Sequence, residues 1–224
     1  MLSSEDRDFI SKEMKISLES IDSKLGEDIF LSYRAHFDAA ISFFIKSIRV
    51  QNDLGYKFDY ASFEDSPAEH AINRHYNELS EIINNVEVNG VLDSIRHAFC
   101  SFAYNGIHQL FTRQENEVWY PKVVLDSVIK PNDIDSLPES VVIYRGADIS
   151  ELELSSFGQS WTTKEQVARE FAFLHYESQH WFNKDNRVIL KTVYPRDYVY
   201  YASKAPEFEV AIDTSRIGKV YKVA

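Results

Sequence analysis

Three short segments in the last third of the chain carry side chains that could do chemistry. Tyr144-Arg145-Gly146 closes an apolar, β-branched run. Ser160-Trp161-Thr162-Thr163 opens a helical pattern. Glu207-Phe208-Glu209 belongs to a late alternating run. An arginine presents a planar fork of donors that matches pairs of phosphate oxygens, and a glycine beside it lets backbone approach a ligand closely. A fixed carboxylate, where water is excluded, stabilises the positive charge that builds on a sugar as its glycosidic bond breaks. An arginine, a hydroxyl cluster and a carboxylate pair are what a site needs to hold a dinucleotide by its diphosphate and cleave its glycosidic bond.

Each segment also has a plain structural reading. An arginine leaving a buried strand for solvent, with a glycine making the turn after it, accounts for Arg145 and Gly146. Thr162 with Glu165, or Thr163 with Gln166, makes a capping box, and Val167, Phe171 and Leu174 supply the core stripe behind it. That leaves Ser160, on the far side of Trp161, without a role. In 207–213, strict alternation puts Phe208, Val210 and Ile212 on one side and Glu207, Glu209, Ala211 and Asp213 on the other. The two glutamates then share a strand face about 7 Å apart, as a catalytic pair or as a solvated sheet face.

The elements that must position these residues follow from periodicity. The first half reads as helices. Phe37, Ile41, Phe44 and Ile48 form one apolar stripe, and Ile72, Tyr76, Leu79, Ile83 and Val86 another. Leu92, Ile95, Phe99 and Phe102 begin a third, with Asn105-Gly106 as a break, and an earlier helix is predicted over about 5–20. The second half changes period. Strands are predicted over 141–144, 187–193, 208–213 and 219–223, with one helix over about 164–174. Pro121, Pro131 and Pro138 break periodicity between the halves, and the predicted domains are 1–120 and 121–224.

Composition narrows the classes. The chain has 224 residues, 44% hydrophobic and 26% charged, which suits a folded globular protein. The net charge of −11 is concentrated in the first half, with 20 acidic against 11 basic residues up to Tyr120. Such a charge repels nucleic acid at long range, although Lys184, Arg187, Arg196 and Lys204 could form a local basic rim. A single cysteine, Cys100, excludes an intramolecular disulfide and a cysteine-based zinc site. His70, His75, His175 and His180 lack a third ligand at metal-site spacing. The charged first residues give no sign of a signal peptide, and no apolar run reaches spanning length, so no membrane partner is expected.

In their order, the three segments resemble the Arg–Ser–Glu signature of mono-ADP-ribosyltransferases of the toxin-like branch, over about residues 138–224. The resemblance implies an α+β fold: an ADP-ribosyltransferase-like split β-sandwich of two sheets around an NAD+ cleft, with an α-helical N-terminal lobe. It implies transfer of ADP-ribose from NAD+, which is substrate rather than resident cofactor, to a macromolecular acceptor, a protein side chain or nucleic acid, without a metal. Carried over, Arg145, Gly146, Ser160 and Thr162 hold NAD+, Glu209 is the catalytic carboxylate and Glu207 engages the acceptor. A glutamate pair resembles the arginine-modifying members. The tryptophan between the hydroxyls departs from the commonest toxin pattern and is similar to a variant seen in many bacterial members. Ala168 and Phe171-Ala172 fall where the family's helix has small and aromatic packing residues. Residues 194–206, rich in tyrosine, fall where the family places its acceptor-recognition loop. Residues 176–186 would cover the nicotinamide, with Trp181 or Phe182 as a stacking ring. The rival readings are an NAD+ glycohydrolase, with water as acceptor, and a catalytically dead binding or adaptor module. Small members often serve as toxins in toxin–antitoxin or phage-defence systems. That implies a cytoplasmic protein, or one exported to a target cell's cytoplasm, with an antitoxin or immunity partner.

Overall fold

The computed structural model describes residues 1–57, 65–113, 119–179 and 182–223, so Trp181 and His180 lie outside the described residues. The chain divides into two compact units, Met1–Val124 and Leu125–Ala224.

The first unit is helical. Helix α1 (Ser4–Asp8) starts at Ser3, whose hydroxyl accepts from Asp6 N, and runs into a π-helical turn, Phe9–Glu13. The long helix predicted over 5–20 is interrupted there. Lys15 takes a left-handed φ of 55°, and Ile16 turns into the core and bridges Val123. The backbone groups of Lys15 and Ser17 bond to Val124 and Lys122, so they are withdrawn from helical hydrogen bonding. Ser17 then caps α2 (Leu18–Leu25), followed by the short α3 (Asp28–Leu31).

Three long helices build the core of this unit: α4 (Arg34–Asp53), α5 (Pro67–Ile83) and α6 (Val86–Thr112). Helix α5 has a full start signal. Ser66 and Glu69 form a reciprocal capping box ahead of Pro67, where the lost N–H costs nothing. The stripes of α4, α5 and α6 meet, with Phe37, Ile41, Phe44, Ile48, Ile72, Leu92, Ile95 and Phe99 all buried. Helix α6 kinks at Asn105 and Gly106, which leave helical backbone angles. The carbonyl of Ala103, just before the kink, takes a donor from Gln51 Nε2 at 2.9 Å, while Gln51 Oε1 accepts from Ala68 N at 3.0 Å. One buried amide thus ties α4 to α5 and α6.

The second unit is mixed α+β. It contains β1 (Ser140–Asp148), α7 (Ile149–Glu153), β2 (Ser160–Thr162), α8 (Glu165–Phe173), β3 (Arg187–Pro195), β4 (Val199–Ala202), β5 (Glu209–Ile212) and β6 (Tyr221–Lys222). The strands form one antiparallel sheet in the order β4-β5-β2-β1-β3-β6. Strands β1 and β3 are in register from Ser140↔Pro195 to Asp148↔Arg187, whereas β1 and β2 meet only at Tyr144↔Thr162. The predicted pair of sheets is therefore, among the described residues, one sheet with a narrow waist. Two three-stranded halves join at a single residue pair. Ile143, Trp161, Leu190, Tyr194, Val210 and Ile212 fill one face of the sheet, and α8 lies on the other, against Ile189.

Two predicted elements change. Residues 194–206 are not one open loop. Tyr194 ends β3 fully buried, its hydroxyl donating to Asp213 O at 2.6 Å, and Tyr201 is buried in β4. Tyr194 and Tyr201 are strand packing, Tyr198 is exposed and Tyr200 half-buried, and the connection from β4 to β5 is residues 203–208. The last strand is only Tyr221–Lys222, shorter than the predicted 219–223.

Candidate active site

Arg145 does not end its strand. Strand β1 continues through Gly146 to Asp148, paired to β3 throughout. Gly146 makes no turn. A Cβ there would overlap the Ala168 carbonyl oxygen and lie 2.5 Å from Ala172 N. Helix α8 packs so close to β1 that only small residues fit the contact. Ala168 and Ala172 are its buried residues, while Leu174 of the predicted stripe is 58% exposed. Gly146→Ala should therefore cost about 3 kcal/mol or more and lower the melting temperature of this unit by on the order of 10 °C. Calorimetry checks this, and an unchanged melting temperature with weakened nucleotide binding would give Gly146 a ligand role instead.

Gly146 faces α8, so Arg145 leaves β1 on the opposite face and bends to the gap where β1 and β2 diverge. Its Nε and Nη2 both donate at 2.8 Å to the carboxylate of Glu151 in α7, and its Nη1 donates at 2.6 Å to the carbonyl of Ser160. Ser160-Trp161-Thr162 is a strand, not the leading edge of a helix. Trp161 points into the core, its indole donating to Gly158 O at 2.9 Å. Ser160 and Thr162 point to the face that α8 covers, opposite Ala211 and Glu209. The predicted capping boxes are absent. Lys164 is the N-cap and makes no side-chain cap bond, and Thr162 Oγ1 accepts from Lys164 N at 3.1 Å while donating to Glu207 O at 2.8 Å. The buried Thr162 hydroxyl thus anchors the backbone ahead of β5.

The glutamates are not a pair on one strand face. Strand β5 begins at Glu209, and Phe208 takes φ 51°. This positive φ is unfavourable for a bulky residue, and it breaks the alternation between positions 207 and 209. Thr163 N bonds Phe208 O at 3.0 Å, and the Lys164 ammonium sits 5.0 Å above the Phe208 ring. Glu207 is exposed at the end of the loop. Glu209 is half-buried, and that burial pushes its carboxyl up to about 7. The neighbouring Ser160 side chain opposes the shift, and the nearby Glu207 adds to it.

The structure bonds Arg145 to the Ser160 carbonyl and sets Ser160 and Glu209 as neighbours on the adjacent strands β2 and β5. It joins Thr162 to Glu207 through the backbone. Tyr176, in the turn after α8, is a further member. Burial raises its phenol above the usual range, with Arg145 and Arg187 pulling down and Glu207 pushing up. Burial also holds Arg187 below the ordinary arginine range, and Arg145 acts in the same direction. Two guanidiniums, a phenol and two carboxylates thus share one electrostatic neighbourhood. Of the basic rim, Arg187 donates to Ala172 O and Arg196 to Leu137 O, so both spend a donor on main chain.

Glu151, Gly158 and Tyr176 are absent from the motif reading. The sequence signal for the first is Asp148-Ile149-Ser150, a helix start whose cap is Asp148 Oδ1 accepting from Ser150 N. A separate cleft of about 380 Å³ lies among Leu137, Val142, Lys164, Lys204 and Phe208 and includes none of Arg145, Ser160 or Glu209. Cys100 in the first unit is buried, which pushes its thiol up to about 12 and makes it a poor nucleophile. Among the described residues no three His, Cys, Asp or Glu side chains gather as a metal site, and no helix is long and apolar enough to cross a membrane.

The unit is thus a mixed α+β domain with a pinched antiparallel sheet and an Arg–Ser–Glu network at the pinch. No protein-family model, curated protein or solved structure matches the chain.

Proposed function

We propose that the second unit is an ADP-ribosyltransferase that moves ADP-ribose from NAD+ to a macromolecular acceptor. The observation that carries this reading is the Arg145–Ser160–Glu209 chain. Arg145 bonds the Ser160 carbonyl, and the half-buried Glu209 carboxylate neighbours Ser160 on the next strand. In this reading Arg145 faces the diphosphate. Glu209, ionised, sits by the nicotinamide ribose. The bond between ribose and nicotinamide breaks with its electron pair going to the nicotinamide nitrogen, and Glu209 stabilises the oxocarbenium-like ribose left behind. The acceptor nucleophile then bonds to the anomeric carbon and gives up its proton, and Glu207 is the base within reach of an acceptor from solvent. The sheet pinched at Tyr144↔Thr162 supports an ADP-ribosyltransferase-like split fold. The same reading makes the protein a toxin of the toxin–antitoxin or phage-defence kind, acting on NAD+ in a cytoplasm.

One observation favours the glycohydrolase as second reading. Glu207 lies outside the strand and in solvent, where water competes as acceptor. Incubation with NAD+ labelled in the ADP-ribose, together with cell lysate, separates the two. Transfer gives a macromolecular label removed by protease or by nuclease, whereas hydrolysis gives only free ADP-ribose. Lysate label absent while free ADP-ribose accumulates would replace the first reading with the second.

A further inference from the structure

Glu151 lies outside the Arg–Ser–Glu signature, yet much of the local architecture converges on it. Its two carboxylate oxygens each take one donor of Arg145, Nε to Oε2 and Nη2 to Oε1, both at 2.8 Å. This is the side-on bidentate geometry that fixes the guanidinium plane as well as its position. Oε2 also accepts from Gly158 N at 3.1 Å, so the carboxylate is tied to the connection that leads into β2. Asp148 caps α7 and so sets Glu151 in its first turn. The socket is completed by an absence. A Cβ on Gly158 would overlap Nη2 of Arg145 and lie 2.7 Å from Cζ. Both members of the ion pair are about four-fifths buried, with side-chain exposures of 21% and 22%.

Donor counting shows what the socket leaves over. An arginine carries five N–H donors. Three are spent, two on Glu151 and one on the Ser160 carbonyl. The remaining two sit one on each terminal nitrogen. The same Ser160 shares a sheet face with Glu209, diagonal to it in the β2–β5 register. A shift of the guanidinium would therefore move both the anion donors and the residue beside the carboxylate.

We infer that Glu151 is a positioning residue for the proposed reaction: it fixes the plane of Arg145 so that two N–H donors meet the diphosphate while Ser160 stays registered on Glu209. The inference rests on the ADP-ribosyl-transfer reading. Glu151 touches no reacting atom, so its loss should act on ground-state binding more than on the chemical step. Binding of a flexible arginine must first order it, and a pre-organised fork avoids that cost.

Two variants test it. Glu151→Gln keeps the shape but turns an amide NH₂ toward the guanidinium. Gly158→Ala leaves both charges in place and pushes Arg145 from the other side. Nicotinamide release from NAD+ gives kcat and KM, calorimetry with inorganic pyrophosphate gives the affinity of the anion site, and a melting curve reports the folded fraction. Both variants should raise KM and the pyrophosphate Kd about tenfold, with kcat changed by less than about threefold. If Glu151→Gln proves too unstable to assay, Gly158→Ala alone decides the matter. An active wild type with both constants unchanged in the variants, or with tighter pyrophosphate binding in Glu151→Gln, overturns the positioning role and leaves the transferase reading intact. A wild type that releases no nicotinamide overturns both.

Discussion

Glu209→Gln should lower NAD+ turnover by on the order of 10²- to 10³-fold, as expected for losing one preorganised electrostatic contact to a transition state, and at pH 8 it should make the second unit more stable. Both effects come from one property. The carboxylate is kept in a partly dry place where it ionises only near pH 7, against an ordinary value of 4.5. The charge that would stabilise the ribose cation in the proposed reaction is thus one that the fold disfavours. The pH sign follows by linkage. Between about pH 4.5 and 7 the folded chain holds a proton that the unfolded chain has released, so stability falls as pH rises through this window. The total is on the order of 3 kcal/mol, taking about 1.4 kcal/mol per pKa unit. Glutamine carries no charge, so the variant escapes that loss. Its melting temperature should match the wild type near pH 4 and exceed it by several degrees at pH 8. In the active wild type, kcat/KM should rise with pH through about 7 as Glu209 ionises. A variant with near-normal turnover, or one that is less stable at pH 8, would remove Glu209 from the centre of the site.

Arg145→Lys should weaken NAD+ binding by at least about tenfold and also destabilise the unit, although charge is conserved. A lysine ammonium cannot supply the two parallel bonds to Glu151 together with the bond to the Ser160 carbonyl. Glu151 would keep a mostly buried charge with fewer donors, which costs on the order of 1–3 kcal/mol. Because the guanidinium has a structural role beside the proposed ligand role, binding and melting must be measured together by calorimetry on the purified proteins. Reduced stability with unchanged NAD+ affinity would make Arg145 purely structural.

The residues of the network were legible in the sequence, but the geometry that joins them was not. The run Val141 to Tyr144 reads as a strand because β-branched residues repeat with the right period, and it is one. What lies past it, Arg145 to Asp148, stays in the strand because the β3 partners reach to Arg187, and long-range pairing leaves no local mark. Ser160-Trp161-Thr162 is a strand of three residues, too short for periodicity, and the capping pattern after it pulls the reading toward helix. The pattern of 207–213 alternates without a flaw, yet Phe208 takes a left-handed φ. Thr162 and Thr163 hold the carbonyls of Glu207 and Phe208, a tertiary demand that outweighs local preference. Gly146 looked like a place for a ligand because a missing side chain says only that something comes close. The structure names the helix backbone of Ala168 and Ala172. Glu151 illustrates the opposite limit, since nothing in one of two glutamates on a short helix announces a buried fork with an arginine six residues earlier.

The central claim is that Glu209 helps to break the bond between nicotinamide and ribose. It is tested most directly by chromatographic measurement of nicotinamide released from NAD+ at pH 8 by the purified wild type and by Glu209→Gln, with melting curves showing that both are folded. Steady release by the wild type and a rate at least about 10²-fold lower in the variant are the expected result. No release by the folded wild type, or equal release by the two proteins, would contradict it.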